Sequence, residues 1–184
     1  QCDAMDAIIS KFSCVAKDHG LHILLGGCIE RIEGKIYITC PVLDTHGDVI
    51  FRQMKTHPFG TEQQYFSAGS DFKLFDVNGA KISIMICYDS CFPEVARVLA
   101  LKGADVIFNP SRIRTEGVEP WHLYGRMRSL ENRIPVVSIN VVNPPHHLGG
   151  TIIHGIEQKE GIVYPVTIAD GGNKPGIIVS EIDF

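Results

Sequence analysis

Long apolar runs, surplus charge and closely spaced cysteines are all scarce in this chain, and each shortage excludes a class of protein. The 17 Lys and Arg residues stand against 21 Asp and Glu, a net charge of -4, and no basic run occurs. No electrostatic footprint for nucleic acid is present, and none is expected as a partner. The apolar runs fall far short of the roughly 20 residues a spanning helix needs, and no signal peptide is visible, so no membrane association is expected. The six cysteines, at positions 2, 14, 28, 40, 87 and 91, have neither the density nor the spacing of a disulfide scaffold. They point to a reducing, cytoplasmic compartment in which a lone thiolate survives as a nucleophile. Repeats, linkers and low-complexity segments are also missing. What is present is ordinary globular usage, 45% hydrophobic and 21% charged over 184 residues. That is enough for one domain with a real core, taken as residues 1–184.

Residues 3–18 space their apolar side chains (Met5, Ile8, Ile9, Phe12, Val15, Ala16) as one helical stripe, with Gly20 as a stop. "LHILLGGCI" at 21–29 reads as a buried strand. "KIYITCPVL" and "VIFRQMK" flank the turn "DTHGD" and predict a hairpin over 35–55. Residues 56–72 lack a period and read as an ordered loop with one helical turn. Asn78-Gly79 then joins two short strands, the strongest local hairpin signal. After Cys87, Asp89 or Ser90 can cap a helix with Pro93 in its first turn, running to Gly103. "ADVIFNPS", "EPWHLYGRMRSLENR" and "IPVVSINVV" follow as strand, helix and strand. "TIIHGI", "GIVYPVTI" and "GIIVSEIDF" close the chain as strands. The order predicts the α/β class, with parallel neighbours or a mixed sheet covered by helices.

Cys87 ends an apolar run, which places it at the carboxyl edge of a sheet, where ligands of open α/β sheets bind. The following helix aims its amino end at the same edge, and its dipole favours a thiolate or an oxyanion. A small buried hydrophobe is the alternative role for such a cysteine. None of the eight histidines is informatively placed as a partner, His57 being the nearest in order. Lys55, at the end of "VIFRQMK", is the other choice, because an ammonium stabilises both thiolate and oxyanion. Glu62 could orient that lysine or bind a substrate amine.

These residues resemble the nitrilase, or carbon–nitrogen hydrolase, superfamily. "ICYDSCFPE" is similar to its nucleophile motif, and "FRQMKTHPFGTEQQYFSAG" to its lysine segment. "RMRSLENRIPVVSIN" looks like its Arg- and Glu-Asn-bearing helix and the next strand, and "GIIVSEIDF" like its last strand. The resemblance implies an αββα sandwich that hydrolyses a non-peptide carbon–nitrogen bond in a small amide, without cofactor. It makes Cys87 the nucleophile that forms a thioester, and Lys55 the oxyanion holder, helped by the backbone N–H of Tyr88. Glu62 matches the structural glutamate, while Cys91 falls on a variable position. A homodimer or higher homo-oligomer, built through the helices near 93–102 and 120–133, is also implied.

One departure accompanies the match. The family's general-base Glu precedes the helix with which this sequence opens, and Glu30 and Glu33 come too late in order to replace it. The fold is therefore expected to lack its first strand, helix and strand, as in a fragment of a complete enzyme. A truncated inactive relative would show the same gap, and so would an enzyme in which a remaining carboxylate has taken over as base. A non-catalytic scaffolding protein is the rival from another class; a redox role for Cys87 and Cys91 is disfavoured by their spacing. Asn109, Ser111 and Trp121 are pocket candidates by topology, with core packing the alternative for Trp121. Arg126, Arg128 and Glu131 read as a salt-bridged helix face. His146, His147 and His154 lack ligand spacing, so no metal is expected.

Overall fold

The computed structural model describes residues 2–182, which fall into two compact units divided between Asp71 and Phe72. In the first, helix α1 (Cys2–His19) packs on an antiparallel sheet of β1 (Ile23–Leu24), β2 (Cys28–Ile32), β3 (Lys35–Leu43) and β4 (Val49–Met54). The long β3 organises the sheet. Its Val42 pairs with both Leu24 and Phe51, and its Thr39 with both Cys28 and Met54. Strands β1 and β2 therefore follow one another along one edge of β3, and β4 takes the other.

The expected buried strand over 21–29 is instead two short, half-buried ones. Gly26 sits at φ 80° between them, a left-handed conformation that breaks the ladder. The hairpin over 35–55 forms as expected. Its turn is closed by Asp44, whose carboxylate accepts from the N–H groups of His46 and Asp48, both at 2.9 Å. Gly47 is required there twice over: φ is 82°, and a Cβ would lie 2.6 Å from the Ser13 carbonyl oxygen.

The second unit is a six-stranded mixed sheet in the order β12-β11-β8-β7-β6-β5. Strands β5 (Leu74–Val77) and β6 (Ala80–Ile84) form the Asn78-Gly79 hairpin. Strands β6, β7 (Val106–Ser111) and β8 (Val136–Asn140) are parallel neighbours, each reached through a helix: α2 (Pro93–Leu101), then α3 (Val118–Asn132). Two short strands, β9 (Val142–Asn143) and β10 (His147–Leu148), pair with each other. Strands β11 (Ile152–Lys159) and β12 (Ile162–Asp170) complete the sheet antiparallel. The core lies where Val95, Ala96 and Leu99 of α2 meet Met85, Ile107 and Val136. Each unit thus lays helix on sheet, the α/β class expected.

Two local expectations give way. Neither Asp89 nor Ser90 caps α2; Phe92 occupies the N-cap with Pro93 at the first helical position, because a separate 3₁₀ turn, Cys87–Cys91, intervenes. The closing "GIIVSEIDF" forms no strand among its described residues, and its last two lie outside them. Ile177 and Val179 are 93% and 89% exposed. Apolar alternation makes a strand only where a ladder partner exists, and this segment pairs with neither outer strand of the sheet, β12 or β5.

Candidate active site

Strand β6 continues through buried Met85, whose N–H donates to the Phe108 carbonyl at 3.0 Å. At Cys87 the chain turns to φ 51°. A left-handed backbone costs a cysteine roughly 1 kcal/mol or more, so the surroundings must impose it. Asp89 begins that work: its carboxylate accepts from the Ile86 N–H at 2.9 Å, while its own N–H donates to the Ile86 carbonyl at 3.1 Å. Ser90 donates its hydroxyl to the Cys87 carbonyl at 2.9 Å. Cys87 itself is half-buried, on a turn between a buried strand and the first turn of α2.

Two side chains from outside the turn tie it back. Asn109, fully buried on β7, donates Nδ2 to the carbonyls of Met85 (2.7 Å) and Cys87 (3.3 Å). Arg128, on α3, donates Nε to the Ser90 carbonyl at 3.0 Å and Nη2 to that of Cys91 at 3.2 Å. Its Nη1 meets Glu131 at 2.9 Å. Arg128 is 6% exposed, so the charged helix face expected over Arg126, Arg128 and Glu131 is divided, Arg128 facing inward. A signal for this was present in the sequence: Arg128 shares a helical stripe with Trp121, Gly125 and Asn132, all buried. At Cys91, burial first, and then the charge of Cys87, push the thiol's pKa up against the pull of Arg128.

Trp121, expected either in the pocket or in the core, is 3% exposed and donates Nε1 to Asn109 Oδ1 at 2.7 Å. Ser111 places its hydroxyl 3.1 Å from the same oxygen. The four hydrogen-bonding positions of the Asn109 amide are therefore all engaged within the protein. Tyr88 stacks edge-on against Phe92, with ring centroids 5.2 Å apart.

In the first unit, Lys55 follows β4 directly, its N–H donating to the Ile38 carbonyl at 2.8 Å. It is 2% exposed, where a solvated strand-end lysine would be the ordinary expectation. Its ammonium meets Glu62 Oε2 at 2.5 Å, and that same oxygen accepts the Phe59 N–H at 2.7 Å. Glu62 sits on a 3₁₀ turn, Gly60–Gln64, within the loop expected to be ordered. The loop is closed by Gly69, whose N–H donates to the Lys55 carbonyl at 2.8 Å. A Cβ on Gly69 would strike Met54 at 2.7 Å, so only glycine lets the chain return here. His57 turns its Nδ1 to the Thr56 hydroxyl at 2.8 Å.

Among the described residues, no three His, Cys, Asp or Glu side chains form a group that could hold a metal ion. His154 is buried instead against His122, with ring centroids 6.1 Å apart. Neither of its nitrogens has a hydrogen-bond partner among the described residues. Burial, aided by His122 and Arg126, lowers its pKa to about 4. No helix among the described residues is long and apolar enough to cross a membrane.

Residues 4–166 match the family model for carbon-nitrogen hydrolases. The chain belongs to that family. As a member of the carbon–nitrogen hydrolases it is 34% identical over 172 residues to a 2-oxoglutaramate amidase of Bacillus subtilis, covering 91% of this chain and 64% of that protein. Its fold matches the crystal structure of a carbon-nitrogen hydrolase from Helicobacter pylori G27, with TM-score 0.86 at 22% identity, over 99% of this chain and 69% of that one. A mutant amidase from Nesterenkonia sp. AN1 matches with TM-score 0.81 at 25% identity, over 95% of this chain and 66% of the other. That structure shows covalent addition of the acetamide moiety of fluoroacetamide at its active site cysteine. The chain spans 49% to 64% of the length of the curated relatives first matched.

Proposed function

We propose that the protein hydrolyses the carbon–nitrogen bond of a small amide, with Cys87 as nucleophile, the two units together forming one hydrolase domain. The observation that carries this reading is the Cys87 backbone itself, strained at φ 51° at the end of a buried strand and on a turn tied back from two sides. Strain of this kind persists only where neighbouring contacts over-determine it, and it concentrates at sites of chemistry.

The steps follow from the groups present. The Cys87 thiolate attacks the amide carbon, and the carbonyl oxygen takes the negative charge. Lys55 is assigned that oxyanion: Glu62 is the one protein partner of its ammonium among the described residues, so two of its three N–H donors remain to be used. The backbone N–H of Tyr88 is assigned as a second donor. Collapse breaks the carbon–nitrogen bond, the departing nitrogen takes up the proton that the Cys87 thiol gave up on becoming the thiolate, and ammonia or an amine leaves behind a thioester on Cys87. Water then attacks the thioester, releasing the carboxylic acid and restoring the thiol. Proton transfer requires a base, and this reading assigns no residue of the chain to that task. Glu62 holds the Lys55 amino group in place. The name of the Bacillus subtilis relative makes 2-oxoglutaramate the first substrate to try.

The test is ammonia release from 2-oxoglutaramate and simple amides by the full-length protein, with Cys87→Ala as control. Turnover that disappears in Cys87→Ala supports the reading, as does a covalent acetamide adduct on Cys87 after fluoroacetamide. Turnover unchanged by Cys87→Ala would sink it. Lys55→Met should lower kcat by roughly a hundredfold or more, as loss of an oxyanion donor does.

A further inference from the structure

We propose that Trp121 and Asn109 form a positioning relay that holds Cys87 in its left-handed conformation. The direction of the relay follows from donor chemistry. An indole N–H can only donate, so the atom of Asn109 facing Trp121 at 2.7 Å is its oxygen. The amide is planar, so its NH₂ faces the opposite way, onto the carbonyls of Met85 and Cys87, which can only accept. Were the amide reversed, its NH₂ would oppose the indole N–H and its oxygen would oppose two carbonyls, turning three attractive contacts into repulsive ones. The indole N–H and the two carbonyls therefore favour the same one of two amide orientations, and that orientation pulls on the 87–88 peptide plane. Pulling the Cys87 carbonyl toward β7 sets the direction of the peptide plane from which the thiol projects.

The relay is sealed from water, which would otherwise replace the missing partner after a mutation. Asn109 is 0% and Trp121 3% exposed. Ser111, at the end of β7, places its hydroxyl 3.1 Å from the same Asn109 oxygen, a contact that a hydroxyl makes with either end of an amide. Neither Asn109 nor Trp121 is then a substrate contact; both act through Cys87. The proposal rests on Cys87 being the nucleophile of the reading above, but thiol reactivity tests it whether or not turnover is found.

The experiment compares three forms of the full-length protein: 3-benzothienylalanine at position 121, Asn109→Asp, and both together. The analogue keeps the shape of tryptophan and puts sulfur in place of the N–H, so a packing role alone would not register the change. Iodoacetamide labelling of Cys87 should slow by roughly tenfold with the analogue, a size typical of small misplacements at reactive groups. Its pH profile should be displaced, while labelling of the exposed Cys14 stays at the rate of the unmodified protein. Where amide turnover is measurable, kcat should fall with KM held within about twofold. Because Trp121 acts through Asn109, the combined form should be no slower than Asn109→Asp alone. Cys87 labelling at the original rate in the analogue protein would overturn the relay, and so would losses that multiply in the combined form.

Discussion

Cys87 bears a backbone conformation that a residue with a Cβ resists, and that resistance can be measured apart from any chemistry. Cys87→Gly should be more stable than Cys87→Ala by about 0.5–1 kcal/mol, because glycine adopts φ near 50° without the Cβ clash. Equal urea midpoints for the two would show that the turn is relaxed. His154 makes a prediction of opposite character, set by pH. Its pKa is lowered in the folded state, from 6.5 to about 4, chiefly by burial. Between those values the unfolded chain binds the proton and the folded one does not, so stability falls as pH drops through 6.5 and levels off below 4. The contribution is at most about 3 kcal/mol. His154→Leu should flatten the part of the stability profile between pH 7 and pH 4 that this group produces, as read by urea unfolding. An unchanged slope would mean that other groups carry the acid sensitivity.

The decisive element is the turn Cys87–Cys91, in which short-range and long-range restraints are separable. Asp89 and Ser90 close it from within, and Asn109 and Arg128 hold it from outside. Arg128→Lys keeps the charge but not the fork that reaches the carbonyls of Ser90 and Cys91 together. The loss should be roughly 2 kcal/mol, the cost of leaving a buried carbonyl without its donor. Hydrogen exchange should quicken at the amides of residues 89–92 while those of β3 are unaffected. Uniform acceleration across both units would argue against a local clamp. Much of this region was readable in advance. Pro93 opens α2, and Asn78-Gly79 makes the hairpin with φ of 53° and 90°, because proline and glycine impose their geometry on immediate neighbours. The 3₁₀ turn was not readable: Asp89 and Ser90 are good helix caps, but in the fold their side chains bond back to Ile86 and Cys87 instead.

Across the whole molecule the cysteines sort by environment. Cys40 is fully buried and its thiol is pushed up to about 12, first by desolvation. Burial raises Cys28 and Cys91 as well. Iodoacetamide near pH 8 should therefore label Cys87 and exposed Cys14 in the folded protein and reach Cys40 only when the first unit opens, a progression that peptide mass mapping follows directly. Early labelling of Cys40 would mean that β3 opens far below the global transition.

Apart from the split strand over 21–29 and the unpaired closing segment, the order of the main helices and strands, the hairpin turns and the placement of Cys87 at the end of a buried strand could be read from the chain before any coordinates. They depend on periodicity and turn chemistry that act over a few residues, and the motifs carried the family as well. Folding alone settled which polar side chains would be buried and to what end. Lys55 reads from the sequence as an oxyanion holder with Glu62 beside it, but not as nearly fully buried, and Arg128 reads as part of a salt-bridged helix face. Asn109 and Trp121 read as pocket candidates, with core packing the alternative for Trp121. Their partners lie far off in the sequence, 38 positions from Arg128 to Ser90 and 24 from Asn109 to Met85. Desolvation and donor–acceptor matching over such separations exist only once the strands and helices have packed.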